Sequence, residues 1–396
     1  MNNVVKQLSV AVAIFLFSIY NLCAASQIQK PTSAYPDFSW DRLSVCLHFS
    51  NASVDFTPSE VEFMARFPLI CIEKNQALKQ HSSMEYGTLA AARALKAVNP
   101  NTTVLFYFNS CMDYGNMYEH GRILADDRHP EWAIRDVNGD FVLVRNIPER
   151  RIYDYSQGDF RDWWVSIVLK WTSYDEIDGV FIDALPKYAS TPEARKKSWG
   201  EQRYNDIYDG LHTTLDSLKT LFDGKKLMVA NFLRGNKSQM EDMGVHFHGY
   251  TDGAMMEHFN FLAGANTEHL ANDIALIQDA ARRNKVVVVK AWPSFNFIDK
   301  SKYADKSQDE REALARQDII FPLVCYLVGA GEFSYFCYSW GYRHDEGGLV
   351  DYEEYNRPLG VPKGDAVRDG WIYTREFEHA SVWVDIDRKE ARIEWR

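Results

Sequence analysis

The order of apolar runs along the chain limits its fold more than any other feature of the sequence. Eight short runs rich in β-branched and aromatic residues recur after residue 36, and polar or amphipathic segments separate them. The runs cover residues 43–50, 68–73, 103–109, 179–184, 227–232, 254–259, 286–292 and 332–338. Parallel strands covered by helices read as nearly continuous apolar runs. Eight such strands alternating with helices predict a closed (β/α)8 barrel of the TIM type.

The segments between these runs have helical periodicity. They cover residues 58–66, starting from a cap at Thr57, and residues 86–98, 160–174, 204–222, 267–283 and 309–328. A doubly wound open sheet is the main alternative, but no glycine-rich phosphate loop follows the first run. We therefore predict that residues 37–345 form the barrel.

Two further segments lie outside the alternation. The third connection, residues 110–158, is far longer than most barrel loops, and its Val137-Asn138-Gly139-Asp140 stretch predicts a tight hairpin. A structured insertion there is typical of a binding wall or lid. Residues 346–396 read as a loop followed by short antiparallel strands at 371–377, 381–385 and 392–395, which predict a small β appendage.

The N-terminus has the pattern of an export signal. Lys6 precedes an apolar run at residues 8–22, and Cys23-Ala24-Ala25 resembles a cleavage site, so residues 1–25 are the predicted signal peptide and 26–36 a linker. The run is too short for a comfortable membrane span, and no later segment is long enough. We expect a periplasmic or extracellular protein. A lipoprotein anchor at Cys23 is the lesser alternative, because Tyr20-Asn21-Leu22 is a poor lipoprotein box.

Charge and cysteine content narrow the partners. The net charge of −11 argues against nucleic acid, because phosphate binding needs a clustered basic surface. Aromatic residues make up 14% of the chain, which fits either a tryptophan-rich core or platforms for sugar rings. The predicted mature chain has five cysteines, Cys46, Cys71, Cys111, Cys325 and Cys337. Because the number is odd, at least one thiol is free. A role as small buried side chains explains these cysteines better than disulfides or metal ligation.

Asp183 is the clearest candidate for chemistry. It ends the run Ile177-Asp178-Gly179-Val180-Phe181-Ile182-Asp183, and strand alternation places it on the same face as Phe181, towards the barrel axis. Active residues of barrel enzymes lie at the C-terminal ends of the strands. The alternative is a structural carboxylate that caps the next segment or pairs with an arginine.

Glu257 occupies the equivalent position on the sixth run, among Met255, Met256 and Phe259. Such apolar neighbours predict a raised pKa, which suits a general acid. A salt bridge to Lys290 is the alternative. Carboxylates on strands four and six face each other across a barrel mouth, and glycosidic cleavage requires a pair of Asp or Glu residues.

Other polar residues at strand ends are predicted to contact a substrate, although asparagines there often cap the following helix. Asn109 and Asn231 could bind sugar hydroxyls, Trp292 could stack on a sugar ring, and Asp154 could line the site or cap the third helix. The full set is His48, Glu73, Tyr107, Asn109, Asp154, Asn231, Lys290 and Trp292.

Other catalytic motifs do not occur in the sequence. It has no Gly-x-Ser-x-Gly elbow and no His-Glu-x-x-His motif, and His246 and His248 lie in a loop without a matching set of ligands. We therefore predict no metal and no cofactor.

The sequence resembles glycosyl-hydrolase-like family 15, a group of uncharacterised barrels. The resemblance rests on four segments: the run ending at Asp183, His129-Pro130-Glu131-Trp132, Arg151-Ile152-Tyr153-Asp154 before Trp163-Trp164, and the tail from Trp371 through Ser381-Val382-Trp383-Val384. It covers nearly all of the predicted mature chain. These barrels look like distant relatives of retaining dextranases and cycloisomaltooligosaccharide glucanotransferases.

The resemblance implies that Asp183 is the nucleophile and Glu257 the acid/base of a glycoside hydrolase. The expected substrate is an oligosaccharide or polysaccharide, and the resemblance favours an α-linked one. Two alternatives stay open: a non-catalytic carbohydrate-binding barrel, and a transglycosylase on the same scaffold.

Overall fold

The computed structural model describes residues 28–124, 126–260 and 266–396, so the predicted signal peptide lies outside the described residues. Residues 28–31 contain no helix or strand and belong to a separate unit, and the fold below is that of Thr32–Arg396. Eight parallel strands form one sheet in sequence order: β1 (Cys46–Phe49), β2 (Leu69–Ile72), β3 (Thr103–Asn109), β4 (Gly179–Asp183), β5 (Leu227–Asn231), β6 (Gly253–Phe259), β7 (Val286–Ala291) and β8 (Ser334–Tyr338).

Within the described ranges the α-helices are α1 (Pro58–Met64), α2 (Leu78–His81), α3 (Met84–Val98), α4 (Gly158–Thr172), α5 (Pro186–Ala189), α6 (Pro192–Trp199), α7 (Glu201–Phe222), α8 (Thr267–Arg282), α9 (Gln308–Asp318) and α10 (Ile320–Gly329). Thr57 caps α1 as predicted, in a capping box with Glu60. None of the helices in these ranges is long and apolar enough to cross a membrane.

The sheet closes between its first and last strands. Val45 and Phe336 form a parallel bridge, and the Phe336 amide donates to the Ser44 carbonyl at 2.9 Å. The predicted (β/α)8 barrel is therefore confirmed. Gly179 allows β4 to lie close to β5, because a Cβ atom there would come within 2.0 Å of the Leu227 carbonyl oxygen.

A separate antiparallel sheet follows the barrel, as predicted. It contains β9 (Val367–Asp369), β10 (Ile372–Glu376), β11 (Ala380–Asp385) and β12 (Glu390–Trp395), in the order β12-β11-β10-β9. The first of these strands was not predicted, because its three residues are all exposed and show no alternation.

One local prediction was wrong in detail. Residues 309–328 form two helices, because Pro322 has no amide hydrogen to donate to the Asp318 carbonyl, where α9 ends. The tight hairpin predicted at residues 137–140 is present, with an antiparallel Arg135–Phe141 bridge and a 2.8 Å hydrogen bond from the Asp136 amide to the Asp140 carbonyl. Gly139 has the left-handed φ of 90° that the turn needs.

Candidate active site

The C-terminal ends of β3 to β6 bring five polar side chains together. The register of β3 and β4 pairs Tyr107 with Phe181 and Asn109 with Asp183. Because alternate residues of a strand share a face, Tyr107, Asn109 and Asp183 all point into the barrel mouth. Asn231 ends β5 in the same way, and Glu257 lies near the end of β6.

Asp183 is held by three neutral donors. The Tyr107 hydroxyl donates to Oδ2 at 2.6 Å, and the Asn109 amide donates to the same oxygen at 3.2 Å. The Asn231 amide donates to Oδ1 at 3.0 Å. With both oxygens bonded, the carboxylate has a fixed orientation.

The backbone around Asp183 is also constrained. The amide and the hydroxyl of Ser110 both donate to the Asp183 carbonyl, at 3.0 and 2.6 Å. Ala184 follows with a φ of 73°, a left-handed conformation that costs a residue with a side chain about 1–2 kcal/mol. Such strain is common at functional sites, where surrounding contacts hold it in place.

Glu257 lies in an irregular part of β6. The register between β6 and β7 shifts between Met256 and Phe259, and such a bulge changes the direction of the side chains that it contains. Adjacent Glu257 and His258 are consequently both partly exposed at the barrel mouth, and His258 Nε2 lies 3.2 Å from Glu257 Oε2.

Further donors to Glu257 come from two loops. The Tyr342 hydroxyl donates to Oε1, and the Arg234 guanidinium lies 3.4 Å from Oε2. The Arg234 guanidinium also donates to Asn231 Oδ1 at 2.8 Å, which fixes the direction of that amide. The Asn231 nitrogen therefore faces the carboxylates.

One nitrogen links the two carboxylates. Asn231 Nδ2 lies 3.0 Å from Asp183 Oδ1 and 2.9 Å from Glu257 Oε2, so these two oxygens can be at most 5.9 Å apart. The two hydrogens of an amide nitrogen diverge by about 120°, which gives a separation of about 5 Å if each carboxylate accepts one of them.

The environments of the two carboxylates drive their pKa values in opposite directions. Burial raises the pKa of Asp183, and the charge of Glu257 raises it further, while Lys74 opposes the shift. Burial also acts to raise the pKa of Glu257, but His258, Arg234 and the Tyr342 hydroxyl outweigh it and hold that pKa well below its usual value. The prediction of a raised pKa for Glu257 was therefore wrong, because it considered only the apolar neighbours in sequence.

A second charged group lies beside the pair. His48 Nε2 and Glu73 Oε2 are 2.6 Å apart, and Glu73 also binds the Lys74 ammonium. That ammonium lies 5.1 Å from the ring centre of Tyr107 and 5.3 Å from that of Tyr342, between the two hydroxyls that bind the carboxylates. Burial acts against the charge on Lys74, but Glu73 and Asp183 outweigh it and raise the Lys74 pKa.

Lys290 and Trp292 are both buried, and neither has the role that the sequence suggested for it. The Lys290 ammonium is buried and donates to the Ser339 hydroxyl and the Gly341 carbonyl, so it does not form the salt bridge with Glu257 that the sequence left open. The Trp292 indole donates to the Glu257 carbonyl at 2.9 Å and is only 2% exposed. A ring buried to this extent supports Glu257 and presents no open face to a sugar.

Asp154 does not join this network. Its carboxylate accepts from Arg203 at 2.6 Å and from the amide and hydroxyl of Ser156 at 3.0 and 2.6 Å. The structure therefore gives Asp154 a structural role in the turn before α4, although the N-cap residue of that helix is Gln157 and has no side-chain cap bond.

Sequence reasoning missed four residues of the site: Lys74, Arg234, His258 and Tyr342. Lys74, Arg234 and His258 follow a strand-end candidate within three residues, and Tyr342 follows β8, where no candidate was predicted. Alternation cannot place residues in loops and bulges. For Lys74 and Arg234 the sequence offered one signal, a positively charged residue within three positions of the candidates Glu73 and Asn231. In the part of the chain that the structure describes, no group of three or more His, Cys, Asp or Glu residues is arranged to hold a metal ion.

The five cysteines after residue 27 are all buried and unpaired, as predicted. Cys71 and Cys46 lie beneath the active-site residues of β1 and β2, where burial raises their pKa values well above the usual range. They are accordingly neutral packing groups, not nucleophiles.

Comparison with known proteins gives a family and several solved structures. A model of hypothetical glycosyl hydrolase family 15 matches residues 96–381. No curated protein matches the sequence. The chain is similar to the α-amylase of Geobacillus thermoleovorans complexed with acarbose, at 9% identity over 88% of this chain and 87% of that one, with a TM-score of 0.49.

Two further structures show a comparable level of similarity. A noncanonic maltogenic α-amylase from Thermotoga neapolitana is 11% identical over 87% of this chain and 86% of that one, with a TM-score of 0.46. A cycloisomaltooligosaccharide glucanotransferase from Paenibacillus sp., complexed with cycloisomaltoheptaose, is 11% identical over 66% of this chain and 40% of that one, with a TM-score of 0.45. Similarity at this level does not indicate a shared substrate.

Proposed function

This chain belongs to hypothetical glycosyl hydrolase family 15 and is a glycoside hydrolase, and from that premise we propose that it cleaves an α-linked oligosaccharide or polysaccharide with retention of configuration. Asp183 is the nucleophile and Glu257 the acid/base. The observation that carries this proposal is the shared hydrogen bond from Asn231, which keeps the nearest carboxylate oxygens within 5.9 Å. Retaining enzymes place their carboxyl groups about 5–5.5 Å apart, and inverting enzymes need a wider gap for a water molecule.

The reaction takes place in two steps. Asp183 attacks the anomeric carbon and forms a glycosyl ester while Glu257 gives its proton to the departing oxygen, so the glycosidic bond breaks as the ester forms. Glu257 then takes a proton from a water molecule, which attacks the same carbon and releases Asp183 as a carboxylate. Tyr107, Asn109 and Asn231 hold Asp183 at a fixed angle for the attack.

These roles require a proton on Glu257 when substrate is bound. The contacts with His258 and Arg234 oppose protonation. A sugar ring that covers the partly exposed Glu257 removes water from it, and desolvation raises the pKa of a carboxyl group. Substrate binding thus supplies a physical cause for Glu257 to take up the proton that these roles require.

The test begins with a panel of α-linked oligosaccharides and 4-nitrophenyl α-glycosides. We expect the wild type to release reducing ends, with the first product in the same anomeric configuration as the substrate when followed by proton NMR. Asp183→Asn should lose activity on every substrate. Glu257→Gln should still form the glycosyl ester from 4-nitrophenyl glycosides, whose leaving group needs no proton, and should lose activity on natural linkages.

Other outcomes would refute parts of the proposal. Full activity in both variants would exclude this pair. An inverted first product would exclude the glycosyl ester. Binding of glycans by a wild type that never releases reducing ends would favour a carbohydrate-binding barrel, and transfer to added acceptor sugars in preference to water would favour a transglycosylase.

We also propose that the enzyme is exported, on the strength of the N-terminal sequence alone. Lys6, the apolar run at residues 8–22 and the Cys23-Ala24-Ala25 site support this proposal. The N-terminus of protein recovered outside the cytoplasm should begin at residue 26. Protein that keeps residue 1 and stays in the cytoplasm would contradict export.

A further inference from the structure

The long connection after β3 encloses a cavity of about 320 Å3. Pockets for small molecules start at about 300 Å3, so the space is sufficient for one sugar ring. One wall comes from residues 113–117, including Tyr114 and Met117, together with Arg122, and the other comes from Ile147, Glu149 and Arg150.

The cavity adjoins the carboxylate pair. Its first wall starts four residues after Asn109, which donates to Asp183. The antiparallel Met112–Ile152 bridge ties the two arms of the connection together, and the Leu143–Arg151 bridge folds the second arm on itself. Burial raises the pKa of Tyr114, with Lys74 acting against the shift and Asp183 adding to it, so the phenol lies within electrostatic reach of both. Tyr114 thus lines the cavity and is close enough to the nucleophile to interact with its charge.

The side chains that line the cavity suit a neutral sugar. The Arg150 guanidinium lies 5.8 Å from the ring centre of Tyr114, and no side-chain hydrogen bond or ion pair joins it to any residue in the described ranges. Within the same ranges the exposed carboxylate of Glu149 has no ion pair either. An arginine can donate to sugar hydroxyls and a glutamate can accept from them, while Tyr114, Met117 and Ile147 offer apolar surface to the carbon face of the ring. The charged residues of the lining are two acidic ones, Asp113 and Glu149, and two basic ones, Arg122 and Arg150, and this balance of formal charge suits a neutral ligand.

We propose that this cavity is a second sugar subsite, which binds a neutral hexose of the same glycan whose neighbouring linkage reaches Asp183 and Glu257. Arg150 and Glu149 bind its hydroxyls, and Tyr114 packs against its ring. The inference rests on the proposed function and adds that the enzyme prefers chains over short glycosides.

The test compares Arg150→Met with Arg145→Met. Arg145 lies in the same connection and is exposed, but does not line the cavity, so it is a matched control. The substrates are the disaccharide to hexasaccharide members of the α-linked series that the wild type hydrolyses best. We expect Arg150→Met to lower kcat/KM about tenfold on the longer members and to leave the shortest one unchanged, because a charged donor to a hydroxyl is lost.

A binding measurement separates the subsite from the chemistry. In an Asp183→Asn background, calorimetry with the hexasaccharide should show about tenfold weaker binding when Arg150→Met is added, and no change with Arg145→Met. Equal loss on all chain lengths, or no loss on any, would overturn the subsite while leaving the hydrolase proposal intact. If the wild type hydrolyses no α-linked series, the proposed function fails first and the inference with it.

Discussion

Asp183 and Glu257 accept hydrogen bonds from the same nitrogen atom, the side-chain amide of Asn231, at 3.0 and 2.9 Å. Because that amide is held in turn by Arg234, the separation of the two carboxylates depends on a residue from the strand that lies between theirs. The pair is therefore spaced by β5 as much as by β4 and β6.

Removal of the shared donor should impair the chemistry more than the fold. We expect Asn231→Ala to lower kcat about a hundredfold, since the loss of one well-placed donor in an active site costs about 100- to 1000-fold. Steady-state kinetics on the best substrate of the wild type measures this effect. Asn231→Asp is the informative counterpart, because it keeps the size of the side chain but replaces the donor with a third carboxylate. An Asn231→Ala enzyme with unchanged kcat would show that the shared bond does not matter.

Arg234 should control the basic limb of the pH profile. Its guanidinium lowers the pKa of Glu257, so Arg234→Met raises that pKa and the acid/base keeps its proton to higher pH. The basic limb of kcat, which reports the enzyme–substrate complex in which Glu257 holds the proton, should move up by about one pH unit. Arg234→Lys keeps the charge and should restore most of the position of the limb. A limb that moves equally in both variants would point to lost geometry and not to lost charge.

Lys74 should act on the acidic limb. Its ammonium opposes the rise in the Asp183 pKa, so Lys74→Met should raise that pKa further and leave less ionised nucleophile at low pH. The acidic limb of kcat, which reports the enzyme–substrate complex, should consequently move to higher pH. Lys74→Arg keeps the charge, and Lys79→Met removes an exposed lysine a few residues away as a control. An acidic limb that stays in place in Lys74→Met would exclude an effect of Lys74 on Asp183.

The strand ends of the site could be read from the sequence because period two fixes which residues face the barrel axis. Asp183, Asn231, Tyr107 and Asn109 all follow from that rule and from the eightfold alternation of runs. Which of these residues lie next to each other on adjacent strands, and hence can form hydrogen bonds, follows from the parallel register.

The loop residues could not be read in the same way. Tyr342 reaches Glu257 from beyond the end of β8, and Arg234 from beyond the end of β5, and tertiary contacts alone determine where such residues point. Lys290 shows that the rule of alternation does not identify the partners of a side chain. Alternation places Lys290 inside the barrel, but its ammonium donates to the Ser339 hydroxyl and the Gly341 carbonyl and not to Glu257. The pKa of Glu257 was mispredicted for the same reason, since the groups that lower it include residues distant in sequence.

The stability of the fold should fall as the pH rises towards neutral because of Asp273 on α8. Burial raises the pKa of Asp273 to about 7, against the Gly235 amide and Arg234, which lower it. In the unfolded chain an aspartate titrates near pH 3.9. A carboxyl group whose pKa is raised by folding contributes fully to stability below its unfolded pKa, and this contribution is lost as the pH rises through the folded value.

Urea unfolding between pH 5 and pH 8 tests this sign. We expect the wild type to lose about 2 kcal/mol of unfolding free energy over that range through this group. Asp273→Asn keeps an oxygen that can accept from the Gly235 amide, at 2.7 Å in the wild type, and should remove that part of the slope. Asp279→Asn on the same helix removes a carboxylate whose salt bridges face solvent, and should keep it. If the unfolding free energy of the wild type depends on pH no more steeply than that of Asp273→Asn, the titration of Asp273 does not affect stability. In that case it also does not affect the loop of Arg234 and Gly235 beside Glu257.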